Sequence, residues 1–252
     1  MSISLLDHLW NLHQDPMYSD KGALMEDSLS HEEGQRIQVN LLQRWLDQGE
    51  EIGGWKIGMT SGASRNAMGE GVRPFGFILK SRVKLSGTKL PLGSLHSGGV
   101  ENEVCFGFKN RLLKGTTQEE AKNAVEAIYP AFEINQKRLP ADASSGLRIA
   151  DNLSNWGIVH GAKAATSKGI NSIEVSLSHD DKPISHVSSE GHIDDHYKSI
   201  ATLVNILGDF GQAIEPGQKI ITGAFGKTAF SPGIFRGEFS DGVGHVELEL
   251  TS

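Results

Sequence analysis

The spacing of apolar residues divides the chain into a helical beginning and a longer region of short strands. Apolar residues recur at roughly helical spacing in 5–12, and a second helical stripe follows in 37–46. Ser30 precedes the second stripe and Glu33 stands three residues later, which is the pattern of a capping box at a helix start. Residues 1–52 are therefore predicted to form a helical N-terminal region that packs on the rest of the chain.

From residue 53 onward the pattern changes to short apolar runs separated by glycine and polar turns. The runs with the length and composition of β-strands are WKIGM, FGFIL, VCFGF, WGIVHG, IEVSLSH, KIITGAF and HVELEL. Helical spacing returns at 118–129 and at 195–210. The chain is therefore predicted to be an α+β protein, with a β-rich domain over 53–252.

Composition narrows the class of protein. The chain has 24 Lys+Arg against 31 Asp+Glu, a formal net charge of −7, which argues against a nucleic-acid-binding protein. No apolar run approaches the roughly 18 residues of a membrane span, and the N-terminus lacks the pattern of a secretory signal. A single cysteine, Cys105, excludes an intrachain disulfide and a cysteine-based zinc cluster. These features favour a cytoplasmic protein with no membrane partner.

The strongest chemical signal is the segment GVENEVCFGF at 99–108. In a β-strand, alternation places Glu101 and Glu103 on one face, together with Cys105 and Gly107. The ordinary interpretation of two such glutamates is a solvated strand face. If the face is enclosed, the two carboxylates repel each other and one pKa rises unless a cation lies between them. A hard divalent ion with oxygen ligands would suit that position.

A third carboxylate lies in the apolar run PAFEI. Glu133 is the lone acid of this run, and it could simply form an ion pair with Lys137 or Arg138 near the end of a strand. Alternatively, Glu101, Glu103 and Glu133 would bind one face of an octahedral ion and leave positions for water and substrate.

Lys56 stands between apolar residues in a predicted strand, where an unpaired ammonium is costly. A lysine that extends its head group into water is the ordinary explanation. Next to a carboxylate cluster, the same lysine could bind an anionic substrate or transfer protons. Thr60 and Ser61 end this strand and would open a helix over 62–69, whose backbone N–H groups could receive a substrate carboxylate.

Other polar positions lie at strand ends. Asp151 and Ser154 form a polar turn before the strand WGIVHG, either as a plain turn or as supporting groups of a site. Thr222 and Gly223 end another strand, where glycine permits close approach of a ligand to the backbone. The histidines of 179–196 show no diagnostic spacing, and they are predicted to lie on a surface hairpin and loop.

Five segments occur in the order found in one enzyme family: GWKIGMTS, GVENEV, PAFEI, IADNLS and KIITGA. On these residues the chain resembles the 2-keto-4-pentenoate hydratase / 4-oxalocrotonate decarboxylase branch of the fumarylacetoacetate hydrolase superfamily. The resemblance implies a fumarylacetoacetate-hydrolase-like core of curled mixed sheets preceded by a helical region, and a homo-oligomer. It implies Mg²⁺ or Mn²⁺ as cofactor. By position, the family's metal ligands match Glu101, Glu103 and Glu133, and its catalytic lysine and serine match Lys56 and Ser154. Asp151 is a further catalytic candidate.

The implied chemistry is hydration of a 2-hydroxy-2,4-dienoate to a 4-hydroxy-2-oxo acid through a metal-stabilised enolate, as in aromatic meta-cleavage catabolism. Alternatives are decarboxylation of a 4-oxalocrotonate-type 2-oxo-enedioate, C–C hydrolysis of an acylpyruvate, or a non-catalytic subunit that keeps the fold. The candidates for binding this small acid are Thr60, Ser61, Arg73, Thr222 and Gly223. Arg73 stands where many hydratases of this branch carry an acidic residue, so it could meet a second substrate carboxylate.

Overall fold

The computed structural model describes residues 4–18, 29–165 and 169–252. The α-helices are α1 (Leu5–Gln14), α2 (His31–Asp47), α3 (Gln118–Ala124), α4 (Ser145–Ala150) and α5 (His196–Asp209). The strands are β1 (Ile52–Ile57), β2 (Phe75–Leu79), β3 (Val83–Leu85), β4 (Thr88–Pro91), β5 (Gly98–Phe108), β6 (Val125–Gln136), β7 (Asn155–His160), β8 (Glu174–His179), β9 (Lys182–Ser188), β10 (Lys219–Ala229), β11 (Gly233–Phe239) and β12 (Gly244–Thr251). None of these helices combines the length and hydropathy needed to cross a bilayer.

The N-terminal helices pack directly on the β-rich part. The predicted capping box is present, since the Ser30 side chain accepts the Glu33 N–H and the Glu33 side chain accepts the Ser30 N–H. Gly34 allows α2 to cross α4 closely, because a methyl group there would lie 2.1 Å from the carbonyl oxygen of Gly146. The Gln38 amide donates to carbonyl oxygens of β2 and α4, at 2.7 and 3.0 Å. These contacts tie α2 to β2 and to α4.

The strands form two mixed sheets. The larger has the order β2-β1-β10-β5-β6-β7-β3, with β1–β10 and β3–β7 parallel, and the smaller has the order β4-β12-β11-β8-β9. The larger sheet curls until β2 lies beside β7, and the Asn152 side chain joins them, reaching the Asn155 carbonyl of β7 at 3.5 Å and Phe77 of β2. Its amide accepts from the N–H of Phe77 at 2.7 Å and donates to the carbonyl of Phe77 at 2.9 Å.

The smaller sheet covers the outer face of the larger one. Asn102 and Phe132, a cross-strand pair of β5 and β6, point to this side and lie beside Gly237 of β11. The Asn102 amide also donates to the Ser176 carbonyl of β8 at 3.1 Å. The outer face of the larger sheet is thus packed against the smaller sheet. The inner face of the curled sheet carries the glutamates.

The predictions of two helices, over 118–129 and over 62–69, were wrong. The segment 118–129 is helical only to Ala124, and β6 begins at Val125 because the alternating, β-favouring residues that follow pair with β5. Residues 62–69 do not form the expected helix; only a 3₁₀ turn, Gly62–Ser64, is present there. A helix N-terminus that could receive a substrate carboxylate is therefore not found at that position.

Candidate active site

Three glutamates meet on the inner face of the larger sheet. Glu101 lies directly opposite Glu133 in the antiparallel β5–β6 pair, and alternation places Glu103 on the same face two residues away. Each carboxylate offers one oxygen, and these oxygens lie within 4.8 Å of one another. Glu103 and Glu133 are only 3% and 1% exposed, so the predicted convergence of carboxylates occurs in a buried setting.

Lys56 of β1 reaches the same cluster. Its Nζ donates to Oε1 of Glu133 at 2.5 Å and to the carbonyl oxygen of Leu153 at 3.4 Å. The stem crosses the backbone of Gly76, where a methyl group would lie 2.9 Å from Cγ of Lys56. The lysine therefore points at the carboxylates and does not extend its head group into water. The partner of Glu133 is Lys56, not the Lys137 or Arg138 of the alternative interpretation.

The acidic side chains of this group outnumber its cations. Burial raises the pKa of Glu101, raises the pKa of Glu103 more strongly, and the Glu133 carboxylate raises both further. Burial opposes the charged form of Lys56, but attraction to the three glutamates, chiefly Glu133, leaves its pKa above the ordinary value. Three carboxyl groups thus face the Lys56 ammonium, and the exposed Lys227 is a further cation that acts on Glu101, so ionised glutamates outnumber their cations.

The donor set fits a hard divalent cation. Oxygen ligands lie about 2.0–2.6 Å from Mg²⁺ or Ca²⁺, so two ligands of one ion are at most roughly 4–5 Å apart. The three carboxylate oxygens meet that limit. A doubly charged ion would also offset the mutual repulsion that raises the pKa of Glu101 and the pKa of Glu103.

The backbone of β10 supports Glu103. The N–H groups of Gly223 and Thr222 donate to its Oε2 at 2.6 and 3.1 Å. Gly223 has a φ of 139°, a backbone conformation that residues other than glycine rarely adopt. Thr60 Oγ1 donates to the Thr222 carbonyl at 2.7 Å. Ser61 lies beside them in an isolated bridge to residue 193. The predicted role of these residues in substrate binding stays a prediction.

Asp151 and Ser154, the two predicted site residues of the turn between α4 and β7, lie in different surroundings. The Asp151 carboxylate accepts from Arg138 Nε at 2.7 Å and contacts His13 Nε2 at 3.0 Å, so its contacts are with those residues and not with the glutamates. Asn152, Leu153 and Ser154 have φ values of 57, 49 and 65, which is costly for residues other than glycine. This turn directs the Leu153 carbonyl at Lys56, with Ser154 half-buried beside it.

Arg73 is paired within the chain. Its Nη2 donates to Asp194 Oδ2 at 2.9 Å, and Arg65 Nε lies 3.1 Å from the other oxygen of the same carboxylate. Two guanidinium groups therefore share one aspartate. This trio is joined to the site through Thr60, whose carbonyl accepts the Asp194 N–H.

Two further residues near the site, His196 and Cys105, are fully buried. His196 is fully buried, so the prediction of a surface position was wrong for this histidine. Its Nδ1 lies 2.8 Å from Thr222 Oγ1, and burial lowers its pKa to about 4. Cys105 is fully buried, and burial raises the pKa of its thiol to about 12, with Glu103 adding to the shift, so the reactive thiolate is suppressed.

Sequence reasoning missed two asparagines of the site. Asn155 Nδ2 donates to Oε1 of Glu133 at 2.7 Å, and the Asn135 side chain lowers the pKa of the nearby Glu101 carboxyl group. Asn155 directly follows the polar turn at 151–154, and Asn135 lies two residues after Glu133. A polar residue at the end of an apolar strand was the only signal available, and it is a weak one.

Comparison with known proteins places these observations in context. No protein-family model matches the chain. It is 28% identical over 212 residues to a 4-oxalocrotonate decarboxylase of a Pseudomonas species, covering 83% of this chain and 82% of the relative. It is also 28% identical over 191 residues to a 2-hydroxypent-2,4-dienoate hydratase of Pseudomonas putida, covering 73% and 86%.

Solved structures share the fold. The 4-oxalocrotonate decarboxylase of Pseudomonas putida, solved with calcium and acetate, superimposes with a TM-score of 0.86 at 20% identity, over 98% of this chain and 95% of that one. Its complex with magnesium and adipate gives 0.83 at 18% identity, over 99% and 100%. The predicted α+β fold of curled mixed sheets is confirmed, as is the resemblance to this branch. The curated relatives are enzymes, which confirms the prediction of an enzyme.

Proposed function

We propose that this chain, whose fold and curated relatives are those of the 2-keto-4-pentenoate hydratase / 4-oxalocrotonate decarboxylase branch, hydrates a 2-hydroxy-2,4-dienoate. The product is a 4-hydroxy-2-oxo acid, formed through an enolate, as in the breakdown of aromatic rings. The observation that carries the proposal is the convergence of Glu101, Glu103 and Glu133 with Lys56 on one buried face. Hydratases among the curated relatives support it.

A divalent cation, Mg²⁺ or Mn²⁺, held by the three glutamates would supply Lewis-acid stabilisation of negative charge developing on the carboxylate and 2-oxo group of the substrate. The chain itself supplies the rigid ligands. The N–H groups of Thr222 and Gly223 hold Glu103, and Lys56 holds Glu133. Fixed ligands of this kind lower the reorganisation needed when charge develops in the transition state.

Lys56 is the proton-carrying side chain of the cluster. It is 8% exposed and is fixed by Glu133 and by the Leu153 carbonyl, so its Nζ has little freedom to move. A positioned ammonium can donate a proton to the dienol carbon skeleton as the enol becomes a ketone. The buried setting excludes bulk water, so the water that adds to the alkene enters with, or after, the substrate.

Decarboxylation of a 4-oxalocrotonate-type 2-oxo-enedioate is the second candidate. Arg65 and Arg73 share the single carboxylate of Asp194, which leaves surplus positive charge close to Thr60. That charge suits a substrate with a second carboxylate, and a decarboxylase is among the curated relatives. The two reactions share an enolate, so the glutamates serve either one.

The test is a direct assay with defined metal content. The purified protein is stripped with a chelator, reconstituted with Mg²⁺ or Mn²⁺, and mixed with freshly prepared 2-hydroxypenta-2,4-dienoate. We expect metal-dependent loss of the diene absorbance and appearance of the 4-hydroxy-2-oxo acid by NMR. No loss with either ion would contradict the proposal. Faster release of CO₂ from the 2-oxo-enedioate would establish the decarboxylase instead.

A further inference from the structure

An irregularity in the pairing of β6 with β7 brings a new residue to the glutamates. Ile134 pairs with Gly157, but the next residue, Asn135, pairs with Asn155, so Trp156 is an extra residue in β7. Strict alternation from Ile158, which lies opposite Glu133, would turn Asn155 to the outer face. The bulge returns Asn155 to the inner face, which is a known way of redirecting a side chain.

The two asparagines opposite each other at this bulge each lie beside a different glutamate. Asn155 Nδ2 donates to Oε1 of Glu133 at 2.7 Å. Asn135 shares the inner face two residues after Glu133, close enough to Glu101 that its side chain lowers the pKa of that carboxyl group. Oε1 of Glu133 also receives Lys56 Nζ at 2.5 Å. Two donors thus converge on one oxygen of Glu133 and leave its Oε2 as the atom available to a cation.

The contact also defines which way the Asn155 amide faces. An ionised carboxylate only accepts hydrogen bonds, so the NH₂ group must face Glu133 and Oδ1 must point away. Asn155 is fully buried, and its Oδ1 has no hydrogen-bond partner among the described residues. A buried acceptor without a partner destabilises the folded chain. An apolar residue of similar size would avoid that cost, so what the asparagine contributes at this position is its donor to Glu133.

We propose that Asn155 is a positioning residue of the metal site, which holds Glu133 so that Oε2 faces the cation. Asn135 acts in the same way on Glu101. The proposal rests on the proposed function in one respect, that a divalent cation binds the three glutamates. Loss of Asn155 leaves Glu133 held by Lys56 alone and free to rotate, so the cation binds more weakly.

The test measures metal binding without substrate. Mn²⁺ affinity is determined by calorimetry and by electron paramagnetic resonance for the wild-type chain, Asn155→Leu and Asn135→Leu. We expect the Asn155→Leu dissociation constant to rise about 10–100-fold, the range typical when a residue that supports a metal ligand is lost. The thermal midpoint of the chelated variant should stay at or above the wild-type value, because leucine has no unsatisfied acceptor.

The matched control is Asn205→Leu. Asn205 hydrogen-bonds the carbonyl oxygens of Thr116 and Ala201, outside the glutamate cluster. This variant should lower thermal stability and leave Mn²⁺ affinity unchanged, which is the signature of a merely structural asparagine.

Each outcome decides a different question. Equal Mn²⁺ affinity in wild type and Asn155→Leu overturns this inference and leaves the proposed function intact. Absence of Mn²⁺ binding by the wild-type chain overturns both. If Asn155→Leu does not fold, Asn135→Leu decides the matter, since unchanged affinity there would contradict the paired role of the two asparagines.

Discussion

The protein buries two groups of charged side chains that share one turn of the chain. The glutamate cluster consists of Glu101, Glu103, Glu133 and Lys56, and the arginine cluster consists of Arg138, Asp151 and His13. Residue 155 contributes to both, because its side chain binds Glu133 and its carbonyl accepts from Arg138 Nη2 at 3.1 Å. The two groups are therefore close neighbours with similar burial, and they differ in their charge balance.

The arginine cluster is balanced. Arg138 and Asp151 are both fully buried and form an ion pair, and Arg138 also donates to two backbone carbonyls of the turn. Burial lowers the pKa of His13 to about 3, with Arg138 adding to the shift, so the imidazole is neutral. Despite the burial of Asp151, Arg138 lowers the pKa of this carboxyl group, so it remains ionised. The Arg138–Asp151 pair therefore neutralises itself beside an uncharged ring, and Arg82 is a further positive charge that acts on Arg138 and His13.

The glutamate cluster is unbalanced, and under the proposed function this difference distinguishes it from the structural arginine cluster. Its three carboxyl groups face the Lys56 ammonium, and only the exposed Lys227 adds positive charge, at Glu101. A buried charge without a partner is costly, so an uncompensated cluster indicates a partner from outside the chain. The comparison predicts opposite responses to mutation: loss of function in the glutamate cluster and loss of stability in the arginine cluster.

The largest expected effect is on catalysis by Glu103→Gln. Turnover should fall on the order of 10³-fold, because metal-assisted stabilisation is worth several kcal/mol. Thermal stability of the chelated protein should be equal or higher, since a repelling carboxylate is removed. Steady-state kinetics and thermal melts measure the two quantities. Glu126→Gln, an exposed position on β6, is the matched control. Normal turnover in Glu103→Gln would remove this residue from the metal site.

Mutation of the arginine cluster should lower the stability of the protein. Arg138→Met leaves Asp151 buried without its cation, so the free energy of unfolding should fall by about 3–5 kcal/mol. Urea denaturation measures this loss. The double variant Arg138→Met/Asp151→Leu should recover much of it, because the uncompensated charge is gone. A loss below about 1 kcal/mol in the single variant would show that the two clusters do not differ as described.

Divalent cations should stabilise the unbalanced cluster selectively. At 100 times the dissociation constant, an ion that binds only the folded chain adds about 2.7 kcal/mol to the free energy of unfolding. We expect Mg²⁺ or Mn²⁺ to raise the thermal midpoint of the chelated wild type. The same additions should leave the midpoint of Glu103→Gln nearly unchanged. An equal rise in both would mean that the ions act elsewhere.

The smallest effect is a pH dependence from His13. The folded pKa is about 3 and the unfolded value about 6.5, so between these pH values only the unfolded chain binds the proton. This stability is complete above pH 6.5 and falls by up to about 1.4 kcal/mol per unit as pH drops. His13→Gln should flatten the dependence measured by urea unfolding between pH 6.5 and 4.5, while the exposed His245→Gln should not. Identical slopes in His13→Gln and wild type would contradict the assignment.

Much of the secondary structure follows from local patterns. The capping box at Ser30 and the helix at 196–209 depend on neighbouring residues, and both occur where the sequence predicted them. The segment 118–129 was predicted less well, because its second half pairs with β5 along a long antiparallel ladder. Long-range pairing overrode a short helical pattern there, as it often does where β-branched and aromatic residues alternate.

Some catalytic candidates were also predictable from local geometry, and others depended on long-range contacts. Glu101 and Glu103 share a face because successive residues of a strand alternate, so their common orientation was determined by the sequence alone. Asp151 was expected near them, but its carboxylate lies with Arg138 and His13 instead. His13 is 138 positions away along the chain, and no local pattern indicates that contact.

By itself, then, the sequence determined which residues are acidic, which strands carry them and which face of each strand they occupy. These are properties of a few consecutive residues and of backbone geometry. Only the tertiary structure decided that Glu133 lies opposite Glu101, that Lys56 crosses the sheet to reach it, and that a bulge turns Asn155 inward. Strand register and bulges depend on the packing of distant segments, so they are fixed only when the whole sheet assembles.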